Sequence, residues 1–243
     1  MKRINLIAAS RERPSRMAVV LEKWLSNSKR PSNIRIIISI DLDDPTCDEY
    51  HVLLNPIAQN YGSDIIITTN PNKCTVEAIN EGKKYIDGDL IIIFSDDTDC
   101  FKYWDDELNN VSDNLEGKYI IKVSDGIGKT LITMPIFSRE YLESFDYIYH
   151  PSYSHMFCDT ELTCVANILD CVIERDNLLF EHLHYTREFH PKDRIDDKNQ
   201  MTFYPGLDIF KKRLSDNFDI PHSMIKGKIP EEILQWIEET NKK

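Results

Sequence analysis

Three carboxylates, Asp96, Asp97 and Asp99, fall within four positions directly after the apolar run from Leu90 to Phe94. Crowding like charges at a strand end costs repulsion and desolvation, and a divalent cation relieves both by binding carboxylate oxygens at about 2.0 to 2.6 Å. A metal site is one reading of this segment; an acidic, solvated turn is the other. A second candidate set is Glu181-His182-Leu183-His184. On an extended strand His182 and His184 point to one side, and neutral imidazole suits Mn²⁺ as carboxylates do, although a His-x-His pair alone is equally compatible with polar packing. Cys158-Asp159-Thr160-Glu161 opens a helical stretch, where Asp159 as an N-cap satisfies free amides and is worth ~1 kcal/mol.

Other features carry less. Gly126-Ile127-Gly128-Lys129-Thr130 mimics the tail of a P-loop, but Val123 stands where the first glycine is required, and strand-like residues follow where a helix must begin. The six cysteines contain no C-x-x-C pair, and Cys158, Cys164 and Cys171 lack zinc-ligand spacing, so free thiols are expected.

Composition bounds the classes of function. The 243 residues are 41% hydrophobic and 10% aromatic, ample for a packed core. Twenty-nine Lys and Arg against 41 Asp and Glu leave a net charge of −12, a field that repels polyanions, so stable nucleic-acid binding is not expected. Eight glycines leave little room for glycine-rich phosphate loops. No apolar run approaches the ~18 to 20 residues that span a bilayer, and Ser10-Arg11-Glu12-Arg13 turns polar too early for a secretory signal. A soluble, cytoplasmic protein with no membrane span is the expectation.

The elements that must position these groups alternate. Ile4 to Ala8, Ile34 to Ile40, Asp64 to Thr68 and Leu90 to Phe94 read as buried strands. Met17, Val20, Leu21, Trp24 and Leu25 fall at helical spacing with Ser15 as N-cap after Pro14, and a second helix is expected over Thr75 to Ile86. Such alternation predicts a mainly parallel α/β sheet whose ligands bind beyond the carboxyl ends of its strands. Beyond residue 118, Tyr119 to Val123 and Thr130 to Phe137 read as a hairpin joined by Ser124 to Lys129, which makes the sheet mixed. A helix over Thr160 to Leu169, a strand near Leu178 to Phe180, a polar loop from His190 to Gln200 and a helix after Pro230 with Ile233, Leu234 and Ile237 inward complete the reading.

In this order and spacing, over about residues 3 to 105, the chain resembles the family 2 glycosyltransferases, which have the GT-A fold and use nucleotide-sugar donors. The residues that carry the resemblance are Ser10-Arg11-Glu12-Arg13-Pro14 after the first strand, Asp41 with Asp43-Asp44-Pro45 after the second, Asn72-Lys73, Asn80-Glu81-Gly82, Gly88-Asp89, and Ser95-Asp96-Asp97 with Trp104 seven residues on. The resemblance implies that Asp41 reads the nucleobase with Ser10, Arg11 and Arg13 beside it, and that Asn72, Lys73 and Asn80 meet ribose or phosphate. Ser95 replaces the first acid of the family's D-x-D motif, so the metal duty passes to Asp97 with Asp96 in support and Asp99 as a further candidate. His182 or His184 would complete the shell of Mn²⁺ or Mg²⁺. Asp159, or Glu161 two residues on, would be the catalytic base of an inverting transfer, since the acceptor hydroxyl must lose a proton as it attacks the anomeric carbon. Lys192, Arg194 and Lys198 would meet the diphosphate from a loop closing over the donor.

The expectation is thus a single GT-A domain over 1–243, a nucleotide-sugar-binding half (1–105) and an acceptor half (106–243). It would be a metal-dependent transferase using a UDP-sugar, with a glycan, lipid-linked, protein or modified-base acceptor. Two alternatives stand beside it. A sugar nucleotidyltransferase would want a glycine-rich first turn, which Ser10 to Pro14 lacks. A non-catalytic nucleotide- or sugar-binding module is suggested by Ser95 and Cys158, where the family carries acids.

Overall fold

The computed structural model describes residues 1–184, 186, 189 and 191–240. Seven strands form one sheet in the order β3-β2-β1-β4-β6-β5-β7. β1 (Ile4–Ser10), β2 (Ile34–Asp41), β3 (Asp64–Asn70) and β4 (Leu90–Ile93) are parallel neighbours. β6 (Ile136–Ser138) lies antiparallel between β4 and β5 (Ile120–Ser124), and β7 (Val172–Leu179) runs parallel to β5.

The isoleucine-rich runs follow from burial on both faces. Ile4, Leu6 and Ala8 of β1 turn with Ile36, Ile38 and Ile92 toward α1 (Pro14–Asn27), α2 (Cys47–Tyr61) and α4 (Trp104–Ser112). Ile7, Ile37, Ile91 and Ile93 turn the other way, toward α3 (Thr75–Gly82), α5 (Arg139–Leu142), α6 (Cys158–Ile168), α8 (Phe203–Ser215) and α9 (Glu231–Thr240). Alternate residues of a strand face opposite sides, so one apolar run serves two cores.

Several local expectations are corrected. α2 was not expected: Pro56 in its interior reads as a breaker, yet Tyr50, Leu54 and Ala58 recur every fourth position and bury one stripe. α1 begins at Pro14 itself, with Arg13 rather than Ser15 at the N-cap. α3 ends at Gly82 and passes into a 3₁₀ turn over Lys83–Tyr85. The β5–β6 pairing is antiparallel as expected, but β6 is only three residues and Thr130 to Pro135 stays irregular. β7 starts six residues earlier than expected, its partly exposed residues hiding the alternation.

The polar stretch expected as a loop contains a helix, α7 (Arg194–Gln200), because Asp193 and Asp196 form a reciprocal capping box at its start; His190 lies outside the described residues. α8 was also missed. It packs close to the chain entering α6, where a Cβ on Gly206 would sit 2.6 Å from the Met156 carbonyl oxygen. Among the described residues no helix is long and apolar enough to cross a membrane.

Candidate functional site

The parallel strands β1, β2 and β4 end at one edge, and the residues just beyond them line a cavity of about 550 Å³. The first turn is shaped by two buried groups. Tyr50 Oη meets Ser10 Oγ at 2.8 Å and accepts from Arg13 N at 3.1 Å, while Asp44 accepts from Glu12 N at 2.7 Å, holding Glu12 in the left-handed region at φ 57°. This lays both Arg11 and Arg13 against the cavity. Arg11 Nη1 donates to Asp41 at 2.8 Å and its guanidinium also grips Asp43, whose hydrogen bonds drive the Arg11 pKa up. Ser10, Arg11 and Asp41 therefore share one wall.

Asp96 and Asp97, though adjacent, sit in different electrostatic settings. Asp96 is buried, and desolvation pushes its carboxyl up to about 6 even though Arg13 and Arg16, at 3.4 and 3.3 Å, pull the other way. Burial also works to raise Asp97, but a hydrogen bond and charge from His182, with a hydrogen bond from Ser95, outweigh it and hold that carboxyl well below the usual range. His182 Nε2 lies 3.2 Å from Asp97 Oδ2. Burial favours the neutral imidazole, yet the partnership with Asp97 raises its pKa on balance. Backbone pairing fixes this contact: Thr98 and His182 form an antiparallel bridge, Leu183 N donates to Asp97 O at 2.6 Å and Asp99 N to Glu181 O at 2.8 Å.

His184 also lines the cavity, its Nδ1 2.8 Å from Thr186 Oγ1 and its ring centroid 5.3 Å from that of His182. Asp99 does not join them. Its carboxylate pairs with Lys23 and accepts from Cys100 N at 2.6 Å, away from the cavity lining.

Asp159 and Glu161 separate cleanly. Asp159 stands on the cavity wall in the first turn of α6, where burial raises its pKa against the Thr160 amide it accepts at 2.8 Å. It is not the N-cap, a place taken by Phe157 at φ 73°. Glu161 points into the protein, 3% exposed, held by Arg213 Nε and Nη2 at 2.7 Å each and by Tyr153 Oη at 2.7 Å.

Other expected contacts divide likewise. Lys73 and Lys198 line the cavity, but Asn72 does not, and Asn80 is spent on the chain at Ile148 and Tyr149, accepting at 2.8 and 2.9 Å and donating at 2.7 Å. Arg194 pairs with Glu12 and Lys192 with Asp197 at 2.6 Å. Two lining residues had no signal in the sequence. His155 is kept neutral, pushed down to about 4 by burial, and Asp125 accepts from Thr133 Oγ1 at 2.7 Å while its backbone carbonyl accepts from His182 N at 2.9 Å.

Among the described residues no three His, Cys, Asp or Glu groups form a ready cluster for a metal ion. The Asp97–His182 pair nevertheless has the spacing of two ligands on one cation. Bonds of about 2.1 Å at right angles place two donor atoms about 3.0 Å apart, against the 3.2 Å seen. An ion held there would need further oxygen ligands beyond these two side chains, of the kind that phosphate and water supply at Mg²⁺ sites generally.

No known protein-family model matches the sequence, and no curated protein is similar to it. Solved structures are. The chain is similar to the mannosyltransferase PcManGT from Pyrobaculum calidifontis, in complex with GDP-Man and Mn²⁺, with a TM-score of 0.60 and 11% identity over 78% of this chain and 59% of that one. It is also similar to S. aureus TarS 1–349, with a TM-score of 0.61 and 10% identity over 74% and 60%. The TarS 1–349 complex with UDP-GlcNAc gives 0.58 and 11% over 73% and 57%. The chain thus spans about three fifths of the length of these neighbours. What it shares with them is architecture: this chain has the GT-A fold, a mixed, mainly parallel sheet flanked by helices.

Proposed function

We propose that the protein is a metal-dependent, inverting glycosyltransferase that moves a sugar from a nucleotide-sugar donor, with UDP as the first nucleotide to try, to an acceptor hydroxyl. The observation that carries this reading is the placement of Asp97–His182 and Asp159 on one cavity, with Arg11–Asp41 on the same cavity. The structural neighbours bound to GDP-Man with Mn²⁺ and to UDP-GlcNAc support it by analogy of fold.

In this account residues 1–105 supply the donor side and the rest the acceptor side. Arg11 and Asp41 bind the base, Ser10 and Lys73 flank it, and Asp97 with His182 holds Mn²⁺ or Mg²⁺. The cation, when bound, neutralises charge gathering on the leaving diphosphate. The lining supports a role for the cation, since six carboxylates and four cationic side chains leave an acidic surface for a diphosphate to approach. Asp159 takes the acceptor proton as the acceptor oxygen bonds to the anomeric carbon and the bond from that carbon to the diphosphate breaks. Its raised pKa makes it a stronger base than a surface carboxylate. Glu161 stays out of the chemistry because Arg213 and Tyr153 occupy both its oxygens.

The experiment is release of nucleoside diphosphate from a set of UDP- and GDP-sugars, with water and with a panel of glycan, lipid-linked and peptide acceptors. Acceptor-stimulated release that needs Mn²⁺ and is lost in Asp159→Asn is the expected result. Pyrophosphate release from a nucleoside triphosphate would instead support a nucleotidyltransferase.

A further inference from the structure

Arg13 is surrounded by acid. Its Nε and Nη2 fork onto Asp193 at 2.8 and 2.6 Å, Nη2 also reaches Asp196 at 2.6 Å, and Nη1 lies 3.4 Å from Asp96. Arg16, nearly one helical turn on, lies 3.3 Å from Asp96 and 3.7 Å from Asp193. Two guanidinium groups from the start of α1 thus share Asp96, from the turn after β4, and Asp193, from the start of α7; Asp196 is on Arg13 alone, and Arg13 and Asp196 both line the cavity.

A guanidinium fork recognises carboxylate and phosphate with the same geometry. Asp193 and Asp196, three positions apart and both on Arg13, offer it two adjacent anionic groups, as the two phosphates of a diphosphate do. The fork and the adjoining amides hold Asp193 at about 2 although burial works the other way, so the pairing is ionic at neutral pH. No residue of α7 is buried. The helix is held at the cavity by these pairs and by Arg194 on Glu12, with half-buried Ile195 also in the cavity lining.

We propose that Arg13 and Arg16 form the anion site for the donor's diphosphate, and that Asp193 and Asp196 fill that site in the donor-free protein. Diphosphate and α7 then compete for the same guanidinium groups. Filling the donor side releases the cavity wall made by Ile195, Asp196 and Lys198, so donor occupancy is coupled to the position of α7. This inference rests on the nucleotide-sugar reading above and adds to it a built-in competitor of this chain's own sequence.

The test is titration calorimetry of the full chain with inorganic pyrophosphate, UDP and GDP, each with Mg²⁺. Asp193→Asn with Asp196→Asn removes charge while asparagine keeps the caps of α7. That double variant should bind pyrophosphate about tenfold more tightly, and Arg16→Gln about tenfold more weakly, as charge-assisted pairs are removed from the competitor and from the site. Arg16 is the safer of the two arginines to change, being 28% exposed where Arg13 is 10%. Unchanged or weaker binding in the double variant, or unchanged binding in Arg16→Gln, overturns the competition. If the wild type binds UDP or GDP tightly and ignores both variants, only this proposal falls. If it binds none of the three probes, the nucleotide-sugar reading falls and takes this one with it.

Discussion

Asp97 and His182 stand 85 positions apart in the chain and 3.2 Å apart in space, joined because the turn after β4 and the segment after β7 pair as strands. Each shifts the other, the imidazole upward from 6.5 and the carboxyl downward from 3.8. Their contribution to stability is therefore complete between those two values. It is lost as pH rises through the raised imidazole value and as pH falls through the depressed carboxyl value. Under the proposed function a Mn²⁺ held by Asp97 and His182 would need the unprotonated imidazole, so Mn²⁺ affinity should fall on acidification through the raised His182 value, and calorimetry at pH 5 to 8 checks this. In His182→Asn that pH dependence should flatten.

Two imidazoles on one cavity should titrate in opposite directions. His155, desolvated to about 4, stays neutral where His182 is protonated. Burying His155 carries no proton-linked cost above its ordinary 6.5, where the ring is neutral folded or unfolded, and a penalty that grows as pH falls from there toward 4. Ring-proton NMR assigned with His155→Gln and His182→Asn should show one titration below the ordinary value and one above it.

Burial raises Asp96 from 3.8 to about 6, so the fold loses stability as pH rises between those values, and the loss is complete above the upper one. Asp96→Asn should raise the melting temperature at pH 8, with the gain shrinking toward pH 5. A loss at pH 8 would mean that the Arg13 and Arg16 contacts outweigh desolvation.

Asp159→Asn and Glu161→Gln should fail in different ways. The first should lower turnover by roughly 10²- to 10⁴-fold with little change in urea unfolding. The second leaves Arg213 without its buried partner and should cost about 3 to 5 kcal/mol of stability. If Asp159→Asn instead unfolds the protein and Glu161→Gln only slows it, the two assignments are reversed.

Much of the fold was legible because parallel strands buried on both faces write unbroken apolar runs, as Ile34 to Ile40 and Leu90 to Phe94 do. α2 and α8 were not, since Pro56 and the Pro205-Gly206 pair interrupt their patterns. Within the site, Asp97 and Asp159 were candidates through the resemblance to glycosyltransferases, and both line the cavity. Their neighbours could not be sorted by spacing alone. Glu161, two residues beyond Asp159, is rotated by about 200° around α6 and so meets Arg213 in the interior. Asp99 lies past the bridge at Thr98 and turns to Lys23. His155 and the Arg13–Asp193 pair depend on tertiary contacts, the latter between residues 180 positions apart, and left no local trace.

The central claim is that this cavity binds a nucleoside diphosphate through a cation held by Asp97. The most direct measurement is thermal stabilisation by a panel of nucleoside diphosphates, each with Mn²⁺ and with EDTA, on wild type and Asp97→Ala. At 100 times its dissociation constant the right nucleotide should add ~2.7 kcal/mol to wild-type stability with Mn²⁺, and nothing with EDTA or in the variant. Stabilisation that survives EDTA and the loss of Asp97, or none from any nucleotide, would contradict the account.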